Sequence, residues 1–283
     1  MLVSIIALTC ALGLSISSAF TFWPVTHGYD FYRPLVLFIA GYLGGIIISW
    51  IFFDITGRVI SSYKKTYEKP SKFARFMFTN GLNYINRHAH IRLTKIGLEQ
   101  IPSDSFLLIG NHKSKFDSMI VSEVLKKRDI AFITKESNMK IPLGARFMWR
   151  NCYMPVDRHD KLQSLAQFKR AADLISNNIS SVGVYPEGSR QEEDVVLGNF
   201  HNGAFNIAIR TKCPIVILTM KGTSQIHKRF PRCTKVTMKC VQVLYYEDYA
   251  TMNATELCDY VHGIMYKDLD DKQWKLITTS LNL

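Results

Sequence analysis

His112 and Asp117 stand five positions apart in Asn111-His112-Lys113-Ser114-Lys115-Phe116-Asp117, straight after the apolar run Phe106-Leu107-Leu108-Ile109. Imidazole is the side chain best suited to accept a proton near neutral pH. A carboxylate beside it fixes the tautomer and stabilises the imidazolium. A second polar cluster, Tyr185-Pro186-Glu187-Gly188-Ser189-Arg190, follows another apolar run, Val182 to Tyr185. Arg190 supplies a planar donor fork for a phosphate, and Gly188 permits close backbone approach. A base, its orienting acid and an anion-binding Arg suit transfer of a group onto a hydroxyl of an anionic substrate.

Spacing decides how the first pair could meet. Five residues of helix turn about 500°, so the two side chains would not share a helical face. They meet if His112 sits on a turn and Asp117 in the first turn of the next helix. Asp117 to Lys127 reads as that helix, with acid at its start and base at its end. The same residues also fit a capping box, with Ser114 as N-cap and Asp117 reaching back.

With the later motifs the chain resembles the lysophosphatidic acid acyltransferase family of glycerolipid acyltransferases. The resemblance rests on Asn-His-x-Ser-x-x-Asp at Asn111 to Asp117, and on Lys135 with Ile141-Pro142-Leu143-Gly144 and Pro155-Val156-Asp157-Arg158. It rests also on Pro186-Glu187-Gly188-Ser189-Arg190, and on Phe200-x-x-Gly203-Ala204-Phe205 followed by Pro214-Ile215-Val216. It covers roughly residues 75 to 245. It implies acyl transfer from a thioester, on coenzyme A or acyl carrier protein, to the free hydroxyl of a lysophospholipid such as lysophosphatidic acid, in phospholipid biosynthesis. It implies His112 as general base and Asp117 as its orienting acid. Arg190 and Lys135 become phosphate contacts, and Glu187, Gly188, Asn111 and Ser114 line the substrate site. Neither cofactor nor metal is expected. Four departures bear on the acceptor: Tyr185 for the usual Phe, Ser189 for Thr, His201 for Lys and Ile217 for Pro.

The elements around these residues follow from pattern. Strand-like runs fall at Phe106–Ile109, Ala131–Thr134, Cys152–Val156, Ser181–Tyr185, Pro214–Met220 and Lys235–Tyr245. Helix-like runs fall at Lys72–His88, Asp160–Asn177, Gly203–Thr211 and Asn253–Leu269. Such alternation predicts an α/β domain with a mixed or largely parallel sheet flanked by helices.

Charge and hydropathy add a location. The 283-residue chain carries a formal net charge of +12. Residues 1–63 hold only Asp30, Arg33, Asp54 and Arg58, so the excess falls wholly on 64–283. Leu2–Trp23 and Leu35–Phe53 are uncharged and long enough to form a membrane hairpin around the loop Pro24 to Pro34, with Trp23, Tyr29, Tyr32 and Trp50 suited to interfaces. A cleaved leader and a hairpin embedded in one leaflet remain alternatives. Residues 64–283 are then the catalytic domain, with an interfacial helix near 72–88. Lys64, Lys65, Lys69, Lys72 and Arg75 follow the second stretch, so the positive-inside rule predicts an integral membrane protein with its domain in the cytosol. Anionic membrane lipid is the expected partner of that basic cluster, acyl carrier protein is a candidate partner, and nucleic acid is not expected. Six scattered cysteines, without metal-ligand spacing, fit a reducing compartment. A lipid hydrolase using His112 and Asp117 is the rival enzyme reading, although no Gly-x-Ser-x-Gly elbow is present. A membrane-anchored binding protein is the non-catalytic one.

Overall fold

Apolar runs bounded by turn residues become strands when both faces can be covered, and here helices cover both. The computed structural model describes residues 2–21, 32–62, 65–157 and 160–270. In chain order its helices are α1 (Leu2–Thr21), α2 (Tyr32–Ile60), α3 (Lys72–His88), α4 (Phe116–Val124), α5 (Ala145–Arg150), α6 (Lys161–Ser176), α7 (Phe205–Thr211), α8 (Gln225–Arg229), α9 (Tyr246–Tyr249) and α10 (Ala254–Asp270). Its strands are β1 (Ile91–Ile96), β2 (Leu107–Gly110), β3 (Ile130–Lys135), β4 (Met154–Val156), β5 (Ser181–Val184), β6 (Ile215–Lys221) and β7 (Thr234–Leu244).

The strands form one sheet in the order β1-β7-β6-β2-β5-β3-β4. Every pairing is parallel except β6 with β7. Successive side chains of a strand face opposite sides. Leu107 and Ile109 of β2 therefore enter a core with α6, α7 and α10. Phe106 and Leu108 enter the opposite core with α4. β2 lies fully buried between β5 and β6, so its C-terminal end is a rigid platform.

Two expectations about the strands need correction. β1 was not foreseen, because Arg92, Thr94 and Lys95 break its apolar pattern; it is an edge strand paired only with β7. Cys152 does not belong to β4, since its φ of 62° lies in the left-handed region. Helix α4 also stops at Val124, leaving Lys126 and Lys127 in the turn beyond it.

α1 and α2 pack antiparallel through small residues. A Cβ built on Gly41 would meet Ala11 Cα at 2.9 Å, and one on Gly45 would meet Ala7 Cα at 2.6 Å. Such closeness needs glycine. We predict that Gly45→Val forces these helices apart and costs about 1–3 kcal/mol of stability. Gly44→Ala, which meets nothing within 4 Å, should be neutral. Thermal unfolding of both in detergent checks this, and equal stability would refute the packing.

α2 is long and apolar enough to cross a membrane by length and composition, while the apolar part of α1, Leu2–Ser17, is shorter. The loop between them, with Trp23 and Tyr29, lies outside the described residues, as do Lys64, Arg158 and His159.

The helix pair is fixed to the sheet domain. Phe53 and Phe147 rings lie 6.0 Å apart, and Trp50 meets Tyr84 edge-on at 5.8 Å. Arginines strap the connection to α3: Arg146 donates to Ser61 O at 2.9 Å, Arg150 to Lys69 O at 3.0 Å and Arg170 to Tyr67 O at 2.9 Å. Arg75, expected in a lipid-facing basic cluster, is instead buried and paired with Asp129 at 2.6 Å. Its charge is spent inside, anchoring α3 to the turn before β3.

Candidate active site

β2 ends at Gly110, and the chain turns through Asn111 to Lys115 into α4. The turn is tight because Asp117 holds it from within. Asp117 is 0% exposed, and its Oδ2 accepts from His112 Nδ1 at 2.9 Å, from Lys113 N at 2.7 Å and from Ser114 N at 2.7 Å. The orienting and the capping readings of Asp117 are thus both present in one carboxylate. A carboxylate only accepts, so His112 Nδ1 carries the proton and Nε2 is left with a lone pair.

The neighbouring strand supplies the second wall. After β5, Tyr185 stacks on the His112 ring, with centroids 4.5 Å apart and planes 15° apart, and on Phe132 beyond. Gly188 turns with a φ of 68°, which a side chain would oppose. Glu187, 4% exposed, accepts from His112 N at 2.6 Å and Gly198 N at 2.9 Å. Burial pushes its carboxyl above the ordinary range, and the two N–H donors and Lys113 oppose that push. Gln191 N donates to His112 O at 2.9 Å. The backbone of His112 is therefore clamped on both sides by the loop that carries Arg190.

The expected site residues divide into those at the mouth and those behind it. His112, Asp117, Glu187 and Gly188 come together as described. Arg190 is exposed on the loop beside His112. Lys135 lies exposed at the C-terminal end of β3, on the same edge of the sheet. Its ammonium has no ion pair among the described residues. Asn111 and Ser114 have a different task from the substrate contact expected of them. Asn111 is buried, its Nδ2 donating to Met220 O at 3.0 Å and its Oδ1 accepting from Met220 N at 2.7 Å, so it locks β2 to β6. Ser114 is buried too, its Oγ accepting from Phe116 N at 3.3 Å.

Other contributors were invisible in sequence. Lys113 Nζ donates to Glu192 O at 2.8 Å and also to Val195 O, holding the acidic loop; burial pulls its ammonium below the ordinary range. His262 Nε2 meets Gly198 O at 3.2 Å, behind the loop that serves Glu187. His201 N donates to Pro186 O at 2.9 Å, so the fourth motif backs the third. Only a fold that returns α10 to the site could reveal His262. Among the described residues no group of three or more His, Cys, Asp and Glu side chains is arranged to hold a metal.

The Tyr185 hydroxyl is buried without a partner among the described residues, and burial, then Asp117, push its pKa well above the ordinary value. An unsatisfied buried group costs stability. We predict that Tyr185→Phe keeps the ring stack and leaves stability equal or raised by about 1 kcal/mol. Thermal unfolding tests this; a clear loss would mean that the hydroxyl holds a partner.

An imidazole oriented by a buried carboxylate stands at the C-terminal end of a central strand in a mostly parallel sheet, which makes this an α/β protein with a His–Asp pair at its candidate site. Residues 92–221 match the family model described as Acyltransferase, so that stretch of the chain is a domain of that kind. Over 210 residues it is 26% identical to a 1-acyl-sn-glycerol-3-phosphate acyltransferase of Chlamydomonas reinhardtii, covering 72% of this chain and 61% of that one. Over 132 residues it is 33% identical to a chloroplastic 1-acyl-sn-glycerol-3-phosphate acyltransferase of Brassica napus, covering 46% and 37%. The chain thus spans less than two thirds of the length of either relative. The crystal structure of the 1-acyl-sn-glycerophosphate (LPA) acyltransferase of Thermotoga maritima shares the fold, with a TM-score of 0.56 and 20% identity over 79% of this chain and 94% of that one.

Proposed function

We propose that the chain transfers an acyl group from an acyl thioester to the free hydroxyl of lysophosphatidic acid, making phosphatidic acid. The observation that carries this is the His112–Asp117 pair, with Nδ1 engaged at 2.9 Å and Nε2 free to take a proton. The names of the relatives support the choice of acceptor.

In this reaction His112 Nε2 removes the hydroxyl proton as the oxygen attacks the thioester carbonyl. Asp117 stabilises the imidazolium that forms. The tetrahedral adduct collapses to an ester and a thiolate, and the imidazolium returns its proton to the thiolate. The thioester is already activated, so neither a covalent enzyme intermediate nor a metal is needed. Coenzyme A or acyl carrier protein carries the donor. Residues 1–63 anchor the catalytic domain, 64–283, to the membrane, and the domain faces the cytosol.

Incubation of the purified full chain with labelled acyl-coenzyme A or acyl carrier protein and lysophosphatidic acid tests the reading. Labelled phosphatidic acid is the expected product. Release of free fatty acid alone would mean a hydrolase, and a panel of other lysophospholipids identifies a different acceptor.

A further inference from the structure

Asp117 holds His112 at one point, and a single hydrogen bond does not set the plane of a ring. Nδ1 is fixed at 2.9 Å, yet the imidazole can still roll about that bond and carry the Nε2 lone pair with it. The side chain keeps 21% of its surface open, so the open side offers nothing to stop the roll. A flat surface against one face would stop it.

Tyr185 is that surface. Its ring centroid lies 4.5 Å from that of the imidazole, with the planes 15° apart. It lies 5.7 Å from that of Phe132, with the planes 11° apart. Both spacings are those of stacked rings. Three rings therefore run nearly parallel across three neighbouring strands: Phe132 on β3, Tyr185 just past β5 and His112 just past β2. Phe132 is buried and backs the stack from the inner side.

Glycines clear the space for it. A Cβ on Gly183, the register partner of Phe132, would collide with the Phe132 ring. A Cβ on Gly110 would meet Tyr185 Cε1 at 3.0 Å and Cδ1 at 3.3 Å. Each aromatic ring thus lies against a glycine of the adjacent strand, where any side chain would displace it. The Tyr185 hydroxyl has no partner among the described residues, so the hold on His112 comes from the ring face. Filling a core needs neither parallel planes nor cleared glycines. Setting the plane of a third ring needs both.

We propose that Tyr185, backed by Phe132 and seated against Gly110, is a positioning residue that fixes the plane of the His112 imidazole. With Nδ1 on Asp117 and one face on Tyr185, the Nε2 lone pair keeps one direction, in a plane nearly parallel to the Tyr185 ring. A proton donor must then approach edge-on to the stack. The kinetic consequence rests on the proposed acyl transfer, whereas the geometry does not.

Two variants and one rescue test this in the full chain in detergent. Tyr185→Leu should lower kcat about tenfold, because small misplacements of a reacting group are costly. KM for lysophosphatidic acid and for the thioester should stay unchanged, the pattern of an interaction used only in the transition state. Tyr185→Phe keeps the ring and should return most of the lost kcat. Gly110→Ala changes no side chain that touches His112 and should lower kcat in the same way by displacing the Tyr185 ring. It also carries the test if Tyr185→Leu does not fold. Nitrogen NMR with ring-labelled histidine reads the positioning without activity, the His112 signals being those lost in His112→Ala. The wild type and Tyr185→Phe should show one neutral tautomer, with the proton on Nδ1. Tyr185→Leu and Gly110→Ala should show mixed tautomers. A single tautomer with unchanged kcat in the folded variants overturns the inference and leaves Tyr185 as core filling. A fall in kcat matched by a raised KM for both substrates, without rescue by Tyr185→Phe, overturns it too, because the loop has then collapsed. Tautomers that depend on Tyr185 and Gly110, in a wild-type chain that transfers no acyl group, would keep the positioning role and sink the proposed reaction instead.

Discussion

Replacing His112 with alanine should lower acyl transfer by at least about a hundredfold while the protein stays folded. The imidazole stands at the mouth with its Nδ1 fixed on a buried carboxylate. General-base assistance of this kind contributes roughly 10²- to 10⁴-fold. The fold should survive because the loop is held through the backbone of residue 112. Its N–H donates to Glu187 and its carbonyl accepts from Gln191, and alanine keeps both bonds. What is lost is the Tyr185 stack and one bond to Asp117. Initial rates of phosphatidic acid formation, beside thermal unfolding of the same preparation, read the two effects separately. More than about a tenth of wild-type activity in a folded variant would remove His112 from the chemistry.

How much of this could be seen in the chain alone depended on whether the signal was local. β2, β5 and β6 are buried runs bounded by turn formers, and they were legible as strands. α3 was legible from its amphipathic period, whereas its N-cap Ser71 came from the structure. β1 was not, because an edge strand needs apolar residues on one face only and its other positions are charged. The His112–Asp117 pair was legible because both partners lie on one turn. The clamp on His112 was harder to foresee. Glu187 was placed in the site, but its bonds to His112 and Gly198 depend on β5 lying beside β2. Asn111 shows the converse limit. The family motif implied substrate contact for it, yet both ends of its amide are bonded to the Met220 backbone. Arg75 was read as lipid-facing because it follows an apolar helix, whereas Asp129, its partner, is remote in sequence.

Asp117→Asn should cost transfer about 10²- to 10⁴-fold with a smaller effect on folding. The substitution keeps shape and volume, so the packing of α4 on β2 is preserved. The amide has two orientations at this site. With its oxygen toward Lys113 N and Ser114 N it still caps the turn, but it no longer offers a charge to stabilise the imidazolium. With its NH₂ toward His112 it donates to Nδ1, drives the proton to Nε2 and so removes the base. Either orientation impairs transfer. Stability should fall by about 1–3 kcal/mol, because charge-assisted bonds to two buried N–H groups become neutral ones. Asp117→Ala separates the roles further. It leaves those N–H groups without an acceptor and should lower the melting temperature more than Asp117→Asn does. The measurement is initial rate and thermal midpoint for both variants. Lowered stability with near-normal transfer in Asp117→Asn would make Asp117 a cap alone and leave His112 to act without an oriented partner.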